Sequence, residues 1–145
     1  MIKAIIFDIG GVLFLPKDKN KRDPRNLLSS YSELCLLLEG LNYPLQDFIE
    51  RSKEIYFKST KGELSKEKTL EALSEILNLP SKRIEMLFAK AIKKNVIENG
   101  GLNKLVLRLK KNRYKLGILS VQWALSQNIL VPQKYHRIFD ALSIS

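Results

Sequence analysis

With 145 residues, the chain suits one domain, or a small domain carrying an insertion. Apolar residues at 45% supply a real core, 28% charged residues are ordinary for a soluble protein, and no apolar run approaches the ~18 residues a helix needs to span a bilayer. A net charge of +10 leaves nucleic acid as one conceivable partner, but no aromatic-interleaved strand, helix-turn-helix or zinc-ligand spacing accompanies it.

The chain opens with MIKAIIFDIGGVLF, in which Ala4, Ile5, Ile6 and Phe7 form an apolar run that ends at Asp8. Such a run, rich in β-branched and aromatic residues and bounded by glycine, predicts a buried parallel strand. An Asp at the carboxyl end of that strand stands where open α/β sheets place their ligands. Gly10 and Gly11 let the backbone turn sharply and bring its N–H groups close to an anion. Asp8 is therefore a candidate nucleophile beside a candidate phosphate cradle. The residues by themselves leave a second reading open, a strand-end Asp that only caps its turn.

A polar, basic stretch from Pro16 to Pro24 reads as an exposed loop, with Asp23 and Pro24 as N-cap and first residue of a helix. Leu27, Leu28, Tyr31, Leu34, Cys35 and Leu38 recur at helical spacing, and Gly40 marks the stop. The single cysteine, Cys35, forbids an intramolecular disulfide, fits a reducing cytoplasmic interior and is expected as a small core residue. No signal peptide precedes the first strand. A second helix is expected from near Pro44 to Gly62, a third capped by Ser65 and a fourth capped by Ser81.

Beyond these helices, Leu102, Leu105, Val106 and Leu109 mark another that ends in the cations Lys110 and Lys111. Tyr114 to Ser120 is the second apolar strand and ends in a hydroxyl. After a further short helix, Phe139 to Ser145 forms the third. His136 stands alone, without a partner at metal-ligand spacing, and a surface or packing role is expected for it. Strand, helix, strand, helix, strand predicts right-handed parallel crossovers in an α/β core.

The apolar strand ending in Asp8, the glycines at the second and third places after it, and LGILS at Leu116–Ser120 resemble the first and second motifs of the haloacid dehalogenase-like (HAD) hydrolases. The resemblance implies a Rossmann-like three-layer core with a parallel sheet, residues 1–15 and 99–145, and an inserted helical cap, residues 16–98. It implies that Asp8 attacks phosphorus and becomes an aspartyl-phosphate. Mg²⁺ would be held by the Asp8 carboxylate and the Gly10 carbonyl, and phosphate by Ile9, Gly10, Gly11, Ser120 and Val121. The substrate would be a small phosphate ester. A dehalogenase, using the same Asp without Mg²⁺, is the lesser variant.

Three departures accompany the resemblance. The general acid and base of most such phosphatases is an Asp two residues after the first, where this chain has Gly10. The Asn that usually follows the second-motif hydroxyl is Val121, with the Gln122 amide one place later. The Lys and acidic pair that follow the third strand in relatives have no counterpart before Ser145, so a truncated hydrolase is expected, with activity weak or lost. An open sheet edge would suit a second copy or a completing chain, and a non-catalytic binding protein of the same fold is the alternative function.

Overall fold

The computed structural model describes residues 3–17, 30–38, 41 and 43–145. The expected helix start at Asp23 and stop at Gly40 lie outside the described residues. Strand β1 (Ala4–Phe7) leads through a tight turn into β2 (Phe14–Pro16). Helices α1 (Ser30–Leu37), α2 (Leu45–Thr60), α3 (Lys66–Leu77) and α4 (Ser81–Asn95) follow, then β3 (Val96–Glu98). Helix α5 (Gly100–Lys111), β4 (Lys115–Ser120), the single-turn helices α6 (Gln127–Leu130) and α7 (Tyr135–Ile138), and β5 (Ala141–Ile144) complete the chain.

Strands β1, β4 and β5 form one parallel sheet with β4 in the middle, pairing Ile5 with Leu116 and Ile118 with Leu142. Side chains alternate across it. Phe7, Leu116 and Ile118 point into a core that also takes in Val106 of α5 and Leu73, Ile84 and Phe88 of the helical segment. The opposite face carries Ile6, 66% exposed, and Leu119, 59% exposed. Among the described residues, no helix is long and apolar enough to cross a membrane.

The four helices stand where the apolar spacing puts them. Helix α2 packs on α1 and α3, and α4 packs on α1 and α3. Ser65 caps α3, its side chain accepting from the Lys68 N–H at 3.3 Å. Ser81 does not cap α4. Pro80 takes that place with φ −57°, its carbonyl accepting from Arg83 and Ile84, and Ser81 is the first helical residue. Cys35 is exposed, because Leu34, Leu37 and Leu38 turn their side of α1 to the core and leave Cys35 beside it. His136 is exposed.

One element is unanticipated. Strands β2 and β3 pair antiparallel, Phe14 with Glu98 and Pro16 with Val96. Hydrogen bonds from Lys17 N to Asn95 O and from Asn99 N to Leu13 O, both 2.8 Å, extend the ribbon. It ties the segment leaving the first core strand to the one returning toward α5.

Candidate active site

The site grows from the tip of β1. Apolar Ile5 and Phe7 hold the strand in the sheet, and the chain leaves it at Asp8, which is exposed. The next residues form a tight turn: the Ile9 carbonyl accepts from Val12 at 3.3 Å and Phe14 at 2.9 Å. Gly11 has φ +72°, the left-handed region that glycine enters without a Cβ penalty.

Strand β4 lies beside β1 and ends at the same level. The Ser120 hydroxyl donates to Asp8 Oδ1 at 2.7 Å, and the Ile9 N–H donates to the same oxygen at 2.7 Å. The Gln122 amide donates in turn to Ser120 Oγ at 2.8 Å, which orients the hydroxyl proton toward Asp8. Asp8 Oδ2 receives no donor among the described residues.

A cavity of about 430 Å³ opens over this cluster, with Asp8, Gly10, Ser120 and Gln122 on the sheet side. Its other wall comes from the helices, through Glu33 of α1 and Tyr56 of α2. Glu33 is only 6% exposed, and the Tyr56 hydroxyl donates to its Oε2 at 3.0 Å. Burial pushes the Glu33 carboxyl above its ordinary range, against smaller opposing effects of the Ser126 and Tyr56 hydroxyls. No cation lines the cavity among the described residues.

The same architecture recurs in solved structures. A predicted HAD-like family hydrolase from Porphyromonas gingivalis superposes with a TM-score of 0.67 at 15% identity, over 98% of this chain and 65% of that one. A HAD family enzyme from Bacteroides thetaiotaomicron, in complex with magnesium and inorganic phosphate, superposes with a TM-score of 0.62 at 15% identity, over 98% of this chain and 68% of that one. This chain has the fold of the HAD-like hydrolases. It spans about two thirds of the length of these HAD neighbours, 65% in the first case. No family model and no curated protein sequence matches the chain.

Within this HAD-like fold the residues singled out in the sequence occupy distinct places. Asp8, Gly10, Ser120 and Val121 border the cavity. Ile9 is fully buried, and its N–H is spent on Asp8. The Gly11 N–H donates to Phe14 O at 2.9 Å, inside the turn. The N–H groups of Gly10 and Val121, which border the same cavity, have no acceptor among the described residues.

Asp8 Oδ2 and the Gly10 carbonyl have no hydrogen-bond donor among the described residues. Magnesium is commonly held through one or two carboxylates, with waters and substrate phosphate completing its octahedron, so this donor set fits one side of such a site. Among the described residues, no group of three or more His, Cys, Asp or Glu clusters at metal-binding distance.

Glu33, Tyr56 and Ser126 escaped the sequence reading. Glu33 carried a signal: it precedes Leu34 and lies four residues before Leu37, both fully buried, which puts a carboxylate on the buried side of α1.

Proposed function

We propose that the chain is a hydrolase of small phosphate esters that uses Asp8 as its nucleophile. The observation that carries this reading is the Asp8 carboxylate itself. It is held by Ser120 and Ile9 through one oxygen, leaves the other open, and faces a cavity large enough for a small ester. The HAD-like fold and the magnesium and phosphate complex of a distant structural neighbour support it.

In this reading one oxygen of the Asp8 carboxylate attacks phosphorus, the P–O bond to the leaving group breaks, and an aspartyl-phosphate forms on Asp8. Water then attacks that phosphorus, releasing inorganic phosphate and restoring the carboxylate. The Ser120 hydroxyl and the N–H groups of Gly10 and Val121 hold the phosphoryl oxygens, and the Ile9 and Gly11 N–H groups keep the turn in shape. The Gln122 amide fixes the Ser120 rotamer. Asp8 and the Gly10 carbonyl would hold Mg²⁺, which when bound offsets negative charge on the transferring group. Residues 16–98 act as a cap that closes over the site, limits water and selects the ester; residues 1–15 and 99–145 form the core.

The test is hydrolysis of 4-nitrophenyl phosphate with and without Mg²⁺, for the native chain and Asp8→Asn. Metal-dependent turnover that vanishes in the variant is expected. Background rates in both would overturn the reading.

The exposed Ile6 and Leu119 favour a second reading, in which the chain keeps the fold and associates through its sheet with a second copy or another protein. Sedimentation of the native chain beside Ile6→Lys decides it. A native dimer that the charge dissociates supports association, and a monomer in both removes the second-copy form.

A further inference from the structure

Breaking a P–O bond to an alcohol leaves an alkoxide, which needs a proton at the moment it departs. The Asp8 loop has none to give. Asp8 Oδ1 is occupied as an acceptor, and Gly10 and Gly11 carry no side chain. On the sheet side, Ser120 and Gln122 are neutral and hydrogen-bonded to one another and to Asp8. Among the described side chains that line the cavity, the remaining carboxyl is Glu33, on the helical wall facing the sheet.

We propose that Glu33, on helix α1, is the proton donor to the leaving oxygen, so that the helical segment completes the chemistry begun by Asp8. This rests on the phosphate-ester reading of the same cavity. Three observations favour Glu33. It lines the cavity that Asp8 opens into, from the side opposite the sheet. It is buried in a wall without a cation among the described residues, which favours the neutral carboxyl. It is also anchored: Tyr56 donates to Oε2 at 3.0 Å, and the Ser126 hydroxyl bears on the same carboxyl.

The proton balance closes. In the first step Glu33 transfers its proton to the leaving oxygen as Asp8 bonds to phosphorus, giving the alcohol, the aspartyl-phosphate and a Glu33 carboxylate. In the second, that carboxylate takes a proton from the attacking water as the Asp8–phosphate bond breaks. Inorganic phosphate leaves, Asp8 is a carboxylate again and Glu33 is reprotonated. A neutral Glu33 also admits a phosphate dianion that a second charge would repel. Of the groups around it, Tyr56 faces Glu33 from α2, Ser126 from the segment after β4, and Asp8 shares the cavity from β1.

The experiment compares an alkyl phosphate such as glycerol phosphate with 4-nitrophenyl phosphate, whose phenolate leaves without a proton. Glu33→Gln, which preserves shape and can still accept from Tyr56, is expected to lose roughly 10²–10⁴-fold of alkyl kcat/KM, which reports the first step alone. Aryl kcat/KM should keep most of its native value while aryl kcat falls, because hydrolysis of the shared aspartyl-phosphate has lost its base, and Glu33→Asp should recover part of the alkyl loss. In the native chain alkyl kcat/KM should fall with rising pH, as Glu33 ionises, along a limb that aryl kcat/KM lacks. Equal losses of kcat/KM on both esters, no loss on either, or parallel native kcat/KM pH profiles would overturn the proposal while leaving Asp8 as nucleophile. A native chain inert toward both esters, and indistinguishable from Asp8→Asn, would overturn the hydrolase reading and this proposal with it. The native pH profiles decide the matter even if Glu33→Gln does not fold.

Discussion

The indole of Trp123 lies 5.3 Å from the ring of Tyr56, their planes inclined by 48°. Trp123 follows β4 directly, whereas Tyr56 belongs to α2, so this contact joins the end of the sheet to the helices. On the other side of the indole, Phe88 of α4 stands edge-on at 5.1 Å. Tyr56 carries the contact onward, because its hydroxyl holds Glu33. The wall of the cavity is therefore positioned by packing on one residue of the core.

That geometry predicts the cost of removing it. Trp123 is fully buried, and truncating such an aromatic side chain costs about 3–5 kcal/mol in lost transfer energy and cavity formation. Trp123→Ala should lose that much in urea denaturation. Trp123→Phe should lose much less, since it keeps a ring between Tyr56 and Phe88 and removes an indole N–H that has no partner among the described residues. Trp123 is the only tryptophan, so native emission should be blue-shifted and move to the red as the helices leave the core.

Ser120 gives a second prediction. Its hydroxyl is the one side-chain donor on Asp8 among the described residues, and in the proposed function it holds a phosphoryl oxygen. Ser120→Ala should lower kcat for 4-nitrophenyl phosphate by roughly 10²–10³-fold, the usual effect of deleting one positioned donor. Ser120→Thr, which keeps the hydroxyl, should retain most of it. Steady-state kinetics on the folded variants makes the check.

How far the sequence revealed this molecule depends on the range of the forces involved. Strands β1 and β4 were legible because an apolar run ending in Asp8 or Ser120 carries its own signal. The helices were legible from spacing alone. The β2–β3 ribbon was not, since three residues on each side hold no period and their pairing joins Pro16 to Val96 across the helical segment. Cys35 was misplaced because an apolar run does not say where the buried side of α1 stops. In the site, Asp8, Gly10 and Ser120 follow from strand ends, whereas Glu33 depends on Tyr56, 23 residues away, to satisfy it.

Asp140 offers a test of the opposite end of the sheet. Its carboxylate accepts from Lys110 Nζ at 2.8 Å and from the Leu116 N–H at 3.0 Å, with Lys115 at 3.5 Å. The Lys110 hydrogen bond, then the Leu116 N–H, hold it well below its ordinary value of 3.8. The folded state therefore binds this proton more weakly than the unfolded chain. Its contribution is complete above pH 3.8 and is lost as the pH falls from there toward the folded value. Asp140→Asn should lower Tm at pH 7, and the gap from the native chain should narrow on acidification below 3.8. Thermal melts between pH 7 and pH 2 provide the measurement.

Glu33 is displaced in the other direction, and the consequence for stability reverses. Its folded value is raised above the ordinary 4.5 by burial, so the folded state holds the proton more tightly than the unfolded chain does. Below pH 4.5 the carboxyl is protonated in both states and folding carries no penalty from it. As the pH rises past 4.5 the unfolded chain ionises first, and stability declines until the folded carboxyl ionises as well. Glu33→Gln removes the titration and keeps an acceptor for Tyr56, so its Tm should exceed the native value at pH 8 and converge with it below pH 4.5. A site tuned for proton transfer would thus be destabilising at neutral pH, the trade-off expected of a catalytic carboxyl. Equal Tm differences at pH 4 and pH 8 would mean that the fold does not raise the Glu33 carboxyl above its ordinary range and would remove the burial argument.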